Sequence, residues 1–255
     1  MNRLLPLAAL IVAAGCGGGH TRAVSQGGPS GAVSEHGPLG QGADAVWYYP
    51  AAGKAHSIVI FLHGYSGEAR EETPVNHVPW LRHLAKQGDD VIYPRYERGG
   101  GPNPFPHLDA GVSAALARLG DPKLPTVVIG YSRGARIAVD YAAFEAARGH
   151  EPRAVLAVFP AVNAPFEVLG PLDELDAKTE IVMMIGDRDT GVAGSGAHLL
   201  LERLARVGFP PDRIKILGAK STKGFVANHT SPLETTPGAR NAFWKPADRL
   251  INSVR

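Results

Sequence analysis

The junction at residues 126–148 constrains the fold of this chain more than any other stretch. Thr126-Val127-Val128-Ile129 is a β-branched apolar run, and residues 133–148 are Ala-rich with helical spacing. Between them stands Gly130-Tyr131-Ser132-Arg133-Gly134, a G-x-S-x-G pentapeptide. The string alone says little in a chain with 31 glycines. Set between a buried strand and a helix, it predicts a tight turn that presents the Ser132 hydroxyl at the carboxyl end of the strand and at a helix N-terminus. Such a turn holds its central residue in a strained backbone region, and flanking glycines let strand and helix approach closely.

The same alternation runs along the rest of the chain. Short apolar runs at 45–49, 57–62, 90–93, 154–159, 180–185 and 213–217 read as strands. Residues 75–86, 109–119, 133–148, 195–207 and 239–254 carry helical spacing, with Asp109 and Ser195 as N-caps. Strands that are apolar throughout belong to a sheet covered on both faces. Strand and helix in alternation imply right-handed crossovers and parallel pairing. The run at 45–49, close before the next strand, suggests an antiparallel edge. The expected fold class is therefore α/β: a mostly parallel, doubly wound sheet with helices on both faces. With 255 residues, 44% hydrophobic and 20% charged, the chain can bury a core without staples. A net charge of +2 and the lack of any Lys/Arg block argue against a nucleic-acid partner.

The N-terminus reads differently. Arg3 precedes the apolar run Leu4 to Ala14, which has signal-peptide length and is too short to span a bilayer. It closes on Ala13-Ala14-Gly15-Cys16, and small residues before a lone Cys resemble the bacterial lipobox. Residues 1–16 are thus expected to be a signal peptide with Cys16 as the lipidation site; an ordinary signal peptide cut near the same residues is the alternative. Cys16 is the only cysteine, so no intrachain disulfide can form. Residues 17–42 are rich in Gly, Ser and Pro and read as a flexible tether to a domain at 43–255. The expected location is outside the cytoplasm, either membrane-anchored or secreted. Gly17 does not resemble an inner-membrane retention signal, which favours the outer membrane or cell surface.

The pentapeptide in its strand-turn-helix setting resembles the nucleophile elbow of the α/β-hydrolase superfamily. The resemblance covers residues 43–255 and is closest to small bacterial esterase and lipase-like members without a large cap, including those similar to dienelactone hydrolases and cutinases. Dienelactone hydrolases carry Cys at the elbow, whereas this chain has Ser132, which implies serine esterase chemistry. The resemblance implies further roles. His63-Gly64-Tyr65 matches the family's first loop, so the backbone N–H groups of Tyr65 and Arg133 would form the oxyanion hole. His63 itself would hold the loop, with service as the base as the alternative. The family's order is Ser, then acid, then His. In Gly186-Asp187-Arg188-Asp189-Thr190 the family places the acid at the second Asp, giving Asp189 with Asp187 as runner-up; the bland role for Asp187 is a turn residue or a partner of Arg188. Only His198 and His229 lie downstream. His198 falls inside a helix, and His229 lies in the loop 226–232, where the family puts the base.

The implied activity is hydrolysis of carboxylic esters through an acyl-enzyme, on a small-molecule or lipid ester, with no cofactor. A serine peptidase or acyltransferase on the same fold uses the same groups, and a non-catalytic surface protein is a third class. Tyr65, Phe105 and Phe166 are the candidate substrate-binding residues, with Val168 and Leu169 as a possible apolar wall. The loop 98–107 is either a specificity loop or lid, or a surface connection. His77 and His83 are six apart, off a common helix face, and make no metal site; no G-x-G-x-x-G follows a strand. Replacing Cys16 by Ala is expected to move the protein from the membrane fraction to the soluble one on fractionation of expressing bacteria. An unchanged membrane fraction overturns the lipid-anchor reading.

Overall fold

A computed structural model describes residues 32–65, 73–97, 102–161, 168–190 and 194–255. The expectations for Cys16, the signal peptide and Phe166 fall outside these residues. One sheet of eight strands organises the domain: β1 (His36–Leu39), β2 (Val46–Tyr49), β3 (Ser57–Leu62), β4 (Asp89–Pro94), β5 (Thr126–Tyr131), β6 (Ala154–Val158), β7 (Glu180–Gly186) and β8 (Ile214–Ala219). They lie in the order β1-β2-β4-β3-β5-β6-β7-β8. β1 and β2 pair antiparallel, as does β2 with β4, and every pairing from β4 through β3 to β8 is parallel. The parallel, doubly wound sheet and its antiparallel edge are those read from the sequence.

The continuous apolar runs explain the layering. Alternate residues of a strand point to opposite faces, so β3 sends Val59 and Phe61 to one side and Ile58, Ile60 and Leu62 to the other. On the first side they meet α1 (Val78–Lys86) and α6 (Lys245–Val254) through Trp80, Leu84, Leu250 and Ile251. On the second they meet α2 (Phe105–Leu119), α3 (Arg133–Ala146) and α4 (Ser195–Arg206) through Val112, Ile137, Val139 and Leu200. No helix among the described residues is long and apolar enough to cross a membrane, and the described residues build no separate cap over the sheet.

Several elements differ from the sequence reading. Residues 36–39, assigned by composition to the tether, form β1, and Val33 before it is buried. α2 begins at Phe105 rather than Asp109, because Pro106 in the first turn is compatible with a helix start, where its missing N–H has no helical partner to lose. Asp109 accordingly lies within the helix and pairs with Arg148 at 2.9 Å. Gly194, with φ of 79°, takes the N-cap position expected of Ser195. The closing helical region starts as a short α5 (Pro237–Ala239) and passes through a π-turn at Arg240–Trp244 before α6.

The elbow is a tight point of the fold. Ser132 has φ 56° and ψ −120°, outside the regions favoured by residues with a side chain. Its backbone is fixed by three bonds: its N–H donates to Val158 O at 2.9 Å, and its carbonyl accepts from Ala135 N at 3.0 Å and Ala161 N at 3.1 Å. A Cβ at Gly134 would lie 2.3 Å from His63 O and 2.4 Å from Leu62 O, both backbone atoms that cannot yield cheaply. Gly134→Ala is therefore expected to cost about 3 kcal/mol or more. A thermal melt should show Tm lowered by at least about 5 °C; a Tm equal to that of the parent protein overturns the close-packing argument.

Candidate active site

Six strands of the sheet run parallel, and their carboxyl ends deliver the candidate residues to one edge. Ser132 follows β5, Asp189 follows β7 and His229 lies in the segment after β8. His229 Nε2 is 2.9 Å from Ser132 Oγ, and its Nδ1 is 3.1 Å from Asp189 Oδ2. The Asp189 side chain is 1% exposed and that of His229 29%, so the carboxylate is sealed while the imidazole reaches the surface.

Local chemistry explains how each is aimed. Asn228 closes a local turn with its side chain: its side-chain oxygen accepts from Ser231 N at 3.0 Å and from Thr230 Oγ1 at 3.1 Å. The turn leaves His229 at its crest. The Tyr131 hydroxyl donates to His229 O at 2.7 Å, and the rings of Tyr131 and Phe159 lie 5.4 and 6.1 Å from the imidazole. The acid and base loops are also stitched together, with Asp187 N donating to Ala219 O and Arg188 N to Ala227 O, each at 3.1 Å. Neither Tyr131 nor Phe159 was singled out by the sequence, since no pattern marks a ring that acts across loops.

The competing residues sit elsewhere. Asp187 accepts from Ser221 N and from its hydroxyl, the latter at 2.6 Å, and these bonds hold its pKa below the usual carboxylate value. Its partner is Ser221 rather than Arg188, and it does not contact the imidazole of His229. His198 is exposed on α4 and faces Glu202 one turn away at 3.2 Å. His63 is fully buried, with Nδ1 2.8 Å from Gly64 O and Nε2 2.6 Å from Arg95 O, and it stacks on Tyr96 at 4.5 Å between ring centres. It thus braces the loop after β3, the role read for it from the sequence.

That loop comes close to the serine. A Cβ on Gly64 would be 3.1 Å from Ser132 Cβ, which places the turn into Tyr65 directly over the elbow. Arg133 opens α3 on the other side of Ser132. Tyr65 is 67% exposed, its ring covered only in part by the Arg133 guanidinium 6.0 Å away. Phe105 does not join this edge. It is buried and stacks on Phe144 at 5.2 Å, and Phe144 stands twelve residues along α3 from Ser132, about 18 Å at the helical rise. Its apolar ring follows α2 into the core instead of lining a cleft. Val168 and Leu169 are exposed, and Val168 N reaches Pro102 O at 3.2 Å, joining the segments that follow β4 and β6. Among the described residues no group of three or more His, Cys, Asp or Glu could hold a metal ion.

Comparison with known proteins follows this geometry. No protein-family model and no curated protein matches the sequence. Solved structures match over most of the chain. An α/β hydrolase enzyme from a Medee basin deep-sea metagenome library is 18% identical, with a TM-score of 0.58 over 88% of this chain and 97% of that one. The chain has the α/β-hydrolase fold. A thermostable carboxyl esterase from Bacillus coagulans gives a TM-score of 0.60 at 14% identity, covering 88% of this chain and 99% of that one. A fungal esterase from Rhizomucor miehei gives 0.62 at 12% identity, covering 88% and 84%. Ser132, Asp189 and His229 of this chain meet at the carboxyl edge of its sheet.

Two buried imidazoles beside this site carry a consequence for stability. Burial pushes the pKa of His63 down to about 4 and that of His77, packed against Phe61, Tyr93 and Tyr131, down to about 3. An unfolded histidine titrates near 6.5, so the folded state resists a proton that the unfolded chain accepts. Stability is then fully present above pH 6.5 and lost as pH falls toward those lowered values. Between pH 7 and pH 5 urea denaturation should show a loss of about 2 kcal/mol per histidine. Equal or greater stability at pH 5 overturns the assignment of neutral, buried rings.

Proposed function

We propose that this protein is a serine hydrolase that cleaves carboxylic esters. The observation that carries the reading is the continuous contact from the Ser132 hydroxyl through both nitrogens of His229 to the buried carboxylate of Asp189, with the serine on a strained turn. A neutral hydroxyl is a weak nucleophile and needs an imidazole beside it, oriented by a carboxylate. In this reading His229 Nε2 takes the proton of Ser132 Oγ as the oxygen attacks the ester carbonyl. Asp189 holds the Nδ1 proton and stabilises the imidazolium that forms. The N–H groups of Tyr65 and Arg133 receive the oxyanion. The imidazolium protonates the departing alcohol, leaving an acyl group on Ser132. Water, deprotonated by the same imidazole, then releases the acid.

The fold likeness to carboxyl esterases supports an ester substrate class, and the same groups would serve amide cleavage or acyl transfer. Export and a lipid anchor on Cys16 belong to the proposal on the strength of residues 1–16. With p-nitrophenyl acetate, butyrate and palmitate set beside a peptide anilide, hydrolysis of the nitrophenyl esters alone is expected. Cleavage of the anilide at comparable rates favours the peptidase class, and inertness toward all of them ends the ester reading. Ser132→Ala should lower kcat by about 10³-fold or more and abolish labelling by a fluorophosphonate. Asp189→Asn should lower kcat by about 10³-fold or more, through the wrong imidazole tautomer. Asp187→Asn should cost far less; equal losses at the two positions overturn the choice of acid.

A further inference from the structure

Phe159, the residue after β6, breaks the alternation of its strand. Leu156 and Val158 face the side of the sheet covered by α1 and α6, and Val155 and Ala157 face the other. Continued alternation would send residue 159 to that second side. Its φ of 54° instead turns the ring back to the first side, into the cluster that holds Val158. A positive φ is costly for a bulky residue, and Pro160 behind it also favours extended backbone. Neighbouring contacts keep the turn. Phe159 N donates to Met184 O at 3.0 Å, and Ala161 N donates to Ser132 O at 3.1 Å. A Cβ on Gly196, in the first turn of α4, would lie 1.7 Å from Pro160 O, so that helix is pressed against the same stretch. A strained backbone persists where its surroundings over-determine it, and such places concentrate at functional sites.

The strain delivers a ring to the junction of base and acid. Phe159 stacks on the imidazole of His229, with 6.1 Å between ring centres and 27° between planes. Its tip lies against Gly186, where a Cβ would stand 2.8 Å from Phe159 Cζ and 2.3 Å from Ala227 O. Gly186 leads into the turn that carries Asp189, and Ala227 into the turn that carries His229. Phe243 stands edge-on to Phe159 at 5.4 Å, with 86° between the rings. Phe159 itself is 1% exposed, so it is sealed from any substrate.

We propose that Phe159 is a positioning residue that sets the plane of the His229 imidazole, so that its nitrogens reach Ser132 and Asp189 together. The inference rests on the reading of His229 as the base and adds a residue to that site. The outer torsion of a histidine side chain is broad, so its own rotamer preference fixes the ring plane loosely. A flat face against the imidazole restricts its tilt. An alkyl chain fills the same space and leaves the ring free to turn. The loss then falls on proton transfer, and hence on kcat rather than KM.

The test compares the full-length protein with Phe159→Met and Phe159→Leu, both apolar and neither planar. Rates with p-nitrophenyl acetate and butyrate are taken well below each Tm, together with the rate of fluorophosphonate labelling. Each variant should lose about tenfold in kcat on both esters, with KM held within about twofold. Labelling should slow by a similar factor, because it draws on the same base. Phe209→Leu, at a buried ring beyond the far end of α4, controls for lost packing and should lower Tm without lowering kcat. Unchanged kcat in the folded Phe159 variants overturns the proposal and leaves the ester reading intact. So does a shift in the acetate-to-butyrate ratio, which marks a wall of the acyl pocket, or an equal loss of kcat in Phe209→Leu. Should one Phe159 variant fail to fold, the other decides. A parent protein inert toward both esters removes the two readings together.

Discussion

Everything at the carboxyl edge of this sheet depends on one contact between backbones, the approach of Gly134 to the carbonyls of Leu62 and His63. That contact presses the start of α3 against the end of β3. It forces Ser132 into a positive φ, and the bonds from Ser132 to Val158 and Ala161 hold it there. The same closeness brings the loop after β3 over the serine, where its amide groups can face a reacting carbonyl. A side chain at position 134 would part the two elements and relax the turn. The serine would then lose its perch and the loop its register in a single step.

Around this contact the molecule places charge with economy. The carboxylate of Asp189 is sealed and linked to the imidazole, while Asp187, two residues earlier, faces solvent and engages Ser221. Ser221 in turn accepts from Ala227 N at 3.0 Å, so even the outer carboxylate helps to shape the segment that carries His229. Two adjacent acids thus do different work because their surroundings differ. His63 and His77 are kept neutral by burial, whereas the more open His229 has one nitrogen on a hydroxyl and the other on a carboxylate.

Much of this arrangement is legible in the sequence because it follows from local patterning. The buried strands β3 and β5 to β7 are unbroken apolar runs, and nothing but a sheet covered on both faces accommodates them. Ser132 is marked by its pentapeptide between strand and helix, and His229 by falling in a loop while His198 falls in a helix. Other parts escape for equally physical reasons. β1, His36-Gly37-Pro38-Leu39, is short, exposed and nearly free of apolar residues, so composition reads it as linker although pairing with β2 orders it. Phe105 reads as a loop residue because prolines flank it, yet one of those prolines opens α2. Tyr131 and Phe159 reach His229 through rings that meet it only in the folded chain, and no spacing along the sequence encodes such meetings.

The edge position of β8 has a dynamic consequence. Its residues Ile216 and Leu217 are 49% and 37% exposed, and it pairs with β7 alone. Edge strands with little covering open more readily than central ones. The segment bearing His229 leaves from that strand, whereas the serine stands on a central one. Warming would therefore loosen the imidazole from its partners before the core gives way. The working range of such a protein is bounded by the fraying of its margin, and its melting point overstates the temperature at which it stops working.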